Sequence, residues 1–551
     1  MKAAIGKRRS AVLLVLSVAV IAAAALVLER FHATLDLTSG GTYSLSAVSR
    51  NLYKDLPDRI HITYYVSPEL EARHPAPRQI EDFLRKYEAV GHGRITVSVA
   101  DPKAESGAVE SLGLLPQRMQ VVVNNEARVA VVYSGIIVQY QDRTEAVPFV
   151  IGLDSLEYDV VKAVNRAVTG SQALAAVIVG DGDKNYQNDY QSVDQALQAS
   201  GWRVSVLAPG DPVPAGTKVL LVLGNSAIDD YAAYRIDDYI ARGGTAVMAL
   251  RGLDVQTSCG LQALPLKTDA MNRLLAAWGL TLSPELVLDA SSRTLPFQDS
   301  NPSGGAMIRY VKYPHWIVVQ GGDCNRKNPV TAAFPGLDLM WSSPLSVNAP
   351  AGVTVEELVK TTKQAFLQTK SFAIGPSDED LYYSEQATTK GQYLLAASLS
   401  GSLPMAYAGK PLPAREGAPA LEALPASASP SRLIVVGSAD FATDLMTMTD
   451  SGYNATFVAN AAEWAAYGPE LAALKVRGTH DASLSKVSDP SRRSVIILFA
   501  FGLNILLIPG GLALFGFIRS RKRRLRAQAT VETASGGGAT AKDKETEGGE
   551  R

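Results

Sequence analysis

Cysteine and histidine are scarce in this chain: two cysteines, Cys259 and Cys324, and six histidines among 551 residues. Two thiols exclude a zinc-finger array and a disulfide-dense scaffold. The histidines are scattered and never fall into HExxH or another metal-ligand spacing. Neither sign of charge dominates, with 53 Lys and Arg against 54 Asp and Glu and a net charge of −1. Nucleic acid is therefore not an expected partner, because that role needs clustered positive charge. No GxxxxGK string followed by Ser or Thr occurs, so the chain lacks the phosphate-cradling loop of a Walker-type ATPase. What the chain has is apolar substance: 47% hydrophobic residues against 19% charged exclude a mainly disordered protein.

Two apolar runs set the expected topology. Residues 11–28 carry no charge and follow Lys2, Lys7, Arg8 and Arg9. At 1.5 Å per residue this run reaches about 27 Å, enough for the hydrocarbon core of a bilayer. The Ala22–Ala25 stretch keeps open the alternative of a cleaved signal peptide. Residues 494–518 form a second uncharged run, followed by Arg519, Arg521, Lys522, Arg523, Arg524 and Arg526. Basic flanks stay on the cytoplasmic side, so both termini are expected inside and the bulk outside the cytoplasm. Asn504, Pro509, Gly510 and Gly511 interrupt the second run. They are candidates for a helix–helix contact, although a lone membrane helix tolerates them equally. Residues 519–551 read as a basic, disordered tail.

Between the runs the pattern is α/β. Residues 31–151 read as a first domain. It has a strand at Arg59–Val66, a helix carrying Ile80, Phe83, Leu84 and Tyr87 at helical spacing, and a strand at Arg94–Ala100. A hairpin around Asn125–Glu126 and a strand at Ile136–Tyr140 follow. That order is thioredoxin-like. The loop after its first strand is Ser67-Pro68-Glu69-Leu70, without the Cys-x-x-Cys of redox members, so the domain is read as a scaffold. Residues 170–441 read as a doubly wound parallel sheet, with strands at Leu174–Val179, Arg203–Leu207, Lys218–Leu223 and Thr245–Leu250. Arg432–Val436 is expected to return to the edge of that sheet. Residues 402–431, rich in Pro, Ala and Ser, read as an exposed loop, and 442–493 as a helical connection.

Candidate functional residues follow from the sheet. Ligands of such sheets sit beyond the carboxyl ends of the strands, where strand order reverses. Asp181 and Asp183 follow the first strand and Asp440 follows the last. They are candidates for a cation or polar-ligand site, with ordinary turn and cap chemistry as the alternative. Cys259 lies nine residues past a strand rather than on a strand-to-helix elbow, which argues against a nucleophile. In an oxidising compartment a Cys259–Cys324 disulfide stands beside two free thiols as an option. Tyr310, Tyr313, His315 and Trp316 read either as a ligand-binding face or as a half-buried strand.

Leu35-Asp36-Leu37-Thr38, Tyr43-Ser44-Leu45-Ser46 and the strand Ile60–Val66 resemble the start of GldG-type proteins. These are auxiliary subunits of ABC transport systems linked to gliding motility. Gly243–Leu250, the run Val436-Gly437-Ser438-Ala439-Asp440-Phe441 and the span Leu503–Pro509 resemble later motifs of that group. The resemblance implies a non-ATPase subunit of the bacterial inner membrane, working with an ABC permease and a separate cytoplasmic ATPase. It implies no cofactor. The second domain is similar to the class I glutamine-amidotransferase-like fold. An anchored hydrolase or amidotransferase-like enzyme, or a purely structural envelope-binding protein, are the alternatives in other classes.

Overall fold

In the computed structural model the described residues run from 44 to 477 with short interruptions, the longest being 51–55 and 301–305, and resume in parts of 490–521. They fall into two compact units divided between Thr479 and His480.

The first unit opens with β1 (Ile60–Val66), whose Ile60, Ile62, Tyr64 and Val66 are buried. Helix α1 (Ala76–Val90) buries Ile80, Phe83, Leu84 and Tyr87, the stripe its spacing requires. Strand β2 (Ile95–Ala100) pairs parallel to β1. After α2 (Ser106–Ser111), β3 (Gln117–Val123) and β4 (Glu126–Val132) form a hairpin sheet of their own. Strand β5 (Ser134–Tyr140) then pairs antiparallel to β1, and β6 (Arg143–Val147) closes the order β2-β1-β5-β6. Helix α3 (Leu156–Thr169) places Leu156, Val160, Ala163, Val164 and Ala167 in the same core. The region thus continues past residue 151, and the hairpin is an addition to its sheet. Strand β6 escapes sequence reading because RTEAV is short and polar, with only Val147 buried. Ser46 acts as a cap: its hydroxyl accepts from Ser49 N–H at 3.1 Å, and its own N–H donates to Glu157 on α3 at 2.7 Å.

The larger sheet follows. Its parallel strands are β7 (Ala173–Val179), β8 (Trp202–Leu207), β9 (Thr217–Leu223) and β10 (Ala246–Ala249), interleaved with α4 (Gln191–Ala199) and α5 (Asp230–Ala241). Helix α6 (Ala270–Trp278) comes next, then an antiparallel layer of β11 (Ser292–Ser300), β12 (Ala306–Gln320) and β13 (Gly336–Met340). Strand β14 (Leu394–Ser402) and β15 (Pro430–Val436) return to the main sheet. The order across its parallel part is β15-β10-β9-β7-β8, so strand order reverses between β7 and β9.

Three expectations change here. The late strand β15 is interior, parallel to β10 on one side and antiparallel to β14 on the other. Both its faces are apolar: Leu433 and Val435 enter the core under α5 and α6, while Ile434 and Val436 enter the opposite one. Residues 403–429 are mostly exposed but form a strap anchored on α5, with Leu403, Tyr407 and Leu421 buried and Tyr407 N–H donating to Asp237 at 3.0 Å. Finally, α7 (Tyr453–Tyr467) is a core helix, burying Phe457, Val458, Ala461, Ala462 and Trp464. It is followed by α8 (Pro469–Arg477).

In the second unit, α9 (Pro490–Phe501) and helical residues within 509–521 are described. Among the described residues no helix is long and apolar enough to cross a membrane. The run 11–28 lies outside the described residues, and 494–518 is described only in part.

Candidate functional site

The strand ends of the larger sheet bring two of the three expected aspartates together. Asp181 follows β7 and Asp440 follows β15, and both are buried. Between them stands Arg251, which follows β10 and is itself buried. Its Nη2 lies 2.6 Å from Asp181 Oδ2 and 3.2 Å from Asp440 Oδ2, while Nη1 lies 3.5 Å from Asp254. The cation between the two carboxylates is thus the chain's own guanidinium. Asp183 does not join them; its side chain is 65% exposed and lies 3.5 Å from Lys184 Nζ.

Backbone fixes this cluster from beneath. Asp181 Oδ1 accepts the N–H groups of Asn225 and Ser226, each at 3.0 Å. Asn225 bonds the Arg251 backbone both ways, donating from Nδ2 at 3.1 Å and accepting at Oδ1 at 2.9 Å. Gly224 holds a φ of +83°, and a Cβ there would stand 2.2 Å from the Asp181 carboxyl carbon, so only glycine fits. Burial raises the Asp440 pKa, and Arg251 opposes that rise. Burial alone would lower the Arg251 pKa, but Asp440 and Asp181 more than offset it and leave the guanidinium charged. Tyr190 is fully buried nearby, and its hydroxyl has no hydrogen-bond partner among the described residues. Burial, with Asp181 and Asp440 next, raises its pKa and keeps it protonated. A guanidinium clamped by carboxylates is neither nucleophile nor base at neutral pH.

Sequence reading missed Arg251. Its signal is present: Asp181, Arg251 and Asp440 are charges of opposite sign at equivalent exits of near-apolar strands. The other candidates separate. Cys324 is a free, buried thiol whose pKa burial pushes up to about 11, while Cys259 lies outside the described residues. Tyr313, His315 and Trp316 are buried on β12 and only Tyr310 is exposed, so the aromatic run packs as a strand. Pro509, Gly510 and Gly511 lie on helical residues, with open space where a Cβ would stand on either glycine; Asn504 lies outside the described residues.

A second feature joins the two α/β regions. Tyr158 and Lys162 on α3 meet Glu463 on α7: the Tyr158 hydroxyl donates to the Glu463 carboxylate and Lys162 Nζ lies 3.1 Å from it. Tyr158 and Val161 also pack on Leu471 and Leu474 of α8. The same helix therefore belongs to one core and clamps the other.

This is a mixed α/β protein whose doubly wound sheet carries a closed charge cluster at its strand-order reversal. The chain belongs to the family described as an ABC-type uncharacterized transport system, as an auxiliary component, and the family model matches residues 175–463, just over half its length. Residues 39–139 match a domain of unknown function. A relative from Borreliella burgdorferi, described as an uncharacterized protein, is 23% identical over 317 residues, 57% of this chain and 61% of the relative. The chain thus matches less than two thirds of that relative. Two ThuA-like proteins are similar in structure. That from Parabacteroides merdae is 12% identical with a TM-score of 0.27, over 54% of this chain and 91% of its own. That from Bacteroides uniformis is 10% identical with a TM-score of 0.29, over 55% and 96%.

Proposed function

We propose that this chain is a membrane-anchored, non-catalytic auxiliary subunit of an ABC transporter, working with a separate permease and cytoplasmic ATPase. The family match over residues 175–463 carries the reading. The GldG-type resemblance of the flanking motifs supports the finer assignment, and the order β2-β1-β5-β6 supports a thioredoxin-like scaffold before the sheet. In the amidotransferase-like comparison a strand exit would carry a nucleophile; the exit of β10 carries Arg251 in a salt-bridged cluster, which supports a non-enzymatic role. Two-pass anchoring, with both termini cytoplasmic, rests on residues 11–28 and 494–518 and their basic flanks. In α9, Val495, Leu498 and Phe499 are all more than 60% exposed, an apolar surface suited to lipid or another helix.

The test is co-purification of the permease and ATPase with the full chain from native membranes. Gly510→Leu and Gly511→Leu, placed where close helix approach needs small residues, are expected to weaken permease recovery about tenfold and leave insertion intact. Failure of wild type to recover either partner overturns the transporter reading; undiminished recovery with both variants removes the contact from this helix.

A further inference from the structure

The opposite end of the same sheet is open. A cleft of about 450 Å³ lies at the starts of β7, β8 and β9, between α3 and the α7–α8 region. Cavities of this size take small-molecule ligands. Four cations line it: Lys162 and Arg166 from α3, Arg203 from β8 and Lys218 from β9. Glu463 pairs with Lys162 at 3.1 Å and Glu145 pairs with Arg166 at 3.1 Å. Arg203 and Lys218 are exposed, and neither has a carboxylate within ion-pair distance among the described residues. Two positive charges are thus in excess in a chain whose net charge is −1. Local imbalance of that kind inside a concave, partly apolar wall attracts an anion more strongly than the same charges on a convex surface.

The rest of the lining narrows the class. Asn165, Thr169 and Gln172 supply neutral donors and acceptors. Trp202 and Tyr467 stack on each other at 5.8 Å on one wall, and Tyr467 keeps 41% of its surface exposed. Trp202 is 3% exposed, and its indole N–H has no hydrogen-bond partner among the described residues. Trp202 therefore serves the cleft as a fixed wall that backs the Tyr467 ring. At the rim, Gly216 has nothing within 4 Å of where a Cβ would stand, so the entrance is clear.

We infer that this cleft binds an acidic sugar. The carboxylate meets Arg203 and Lys218, the hydroxyls meet the neutral side chains, and the ring lies along the Tyr467 edge. The inference rests on the cleft's own residues and holds whether or not the chain serves a transporter. It adds a consequence for the joint: Lys162 and Glu463 line the cleft and also clamp α3 to α7, so an occupant touches the contact between the two α/β regions.

Calorimetric titration of the detergent-solubilised full chain tests it, with galacturonate, galactose and inorganic phosphate as probes. Galacturonate is expected to bind at least about tenfold more tightly than galactose and more tightly than phosphate. Arg203→Glu and Lys218→Glu should each weaken it about tenfold or more, and both should melt like wild type because the two side chains are exposed. Three results overturn the inference: no galacturonate binding up to about 10 mM, equal binding of galactose, or affinity untouched by the double reversal. Phosphate binding as tightly as galacturonate overturns the sugar assignment.

Discussion

At the carboxyl ends of β7, β9, β10 and β15, charge is enclosed. Asp181 and Asp440 share the Arg251 guanidinium out of reach of water, and glycine at position 224 lets the chain close over them. At the amino ends of β7, β8 and β9, charge is left open: Arg203 and Lys218 face a cleft with no carboxylate of their own. The fold places ligands by habit at the first end. This chain fills that end with its own side chain, and the concave, charged, accessible surface lies at the second. Fold alone therefore does not say where such a sheet binds; the side chains at its two ends do.

The comparison predicts a large stability effect at the closed end. Arg251→Met removes the cation and leaves two buried carboxylates facing each other, a loss of about 3–5 kcal/mol by chemical denaturation. Adding Asp181→Asn and Asp440→Asn to that variant should recover most of it, since the uncompensated charge is then gone. A loss below about 1 kcal/mol would mean that the cluster is hydrated rather than enclosed.

A smaller effect is pH-dependent. Asp237 on α5 is buried, and burial pushes its carboxyl up to about 6. A carboxyl raised in the folded state binds its proton more tightly there than in the unfolded chain. Its contribution is full below about pH 4 and is lost as pH rises through 6, about 3 kcal/mol in all. Asp237→Asn should remove that slope from denaturation curves taken between pH 4 and 7. Asp440, raised in the same direction at the closed end, should leave a residual slope of the same sign, which Asp440→Asn then removes. A flat profile in wild type would contradict both assignments.

Much of this architecture is legible in the residues. The strands β7, β9 and β10 announce themselves as short apolar runs closed by glycine or a charge, and α1 by four apolar residues at helical spacing. Helix α3 does so only in part. Its Leu156, Val160, Ala163, Val164 and Ala167 keep helical spacing, but the spacing does not tell that the helix serves two cores at once, one of them through Tyr158 and Val161. The insertion β11–β13 is held by pairings that sequence proximity does not foretell, such as Arg293 donating from Nε to Asp338 at 2.6 Å across the sheet. At the site, Asp181 and Asp440 are visible as charges after apolar strands, but the sequence alone points to an external cation between them. Topology makes Arg251 the neighbour of both, because β10 lies beside β15 and one strand removed from β7. The basic cleft is least legible of all: Lys162, Arg166, Arg203 and Lys218 come from three elements and meet only through the docking of α3.

Hydrogen–deuterium exchange on the full chain, with and without saturating galacturonate, sets the two ends against each other directly. Protection is expected in peptides covering residues 158–169 and 200–218, with no change in those covering 180–184 and 436–442. Protection confined to 180–184 and 436–442 would place the ligand at the carboxyl ends of the strands and contradict the assignment of the open, amino end.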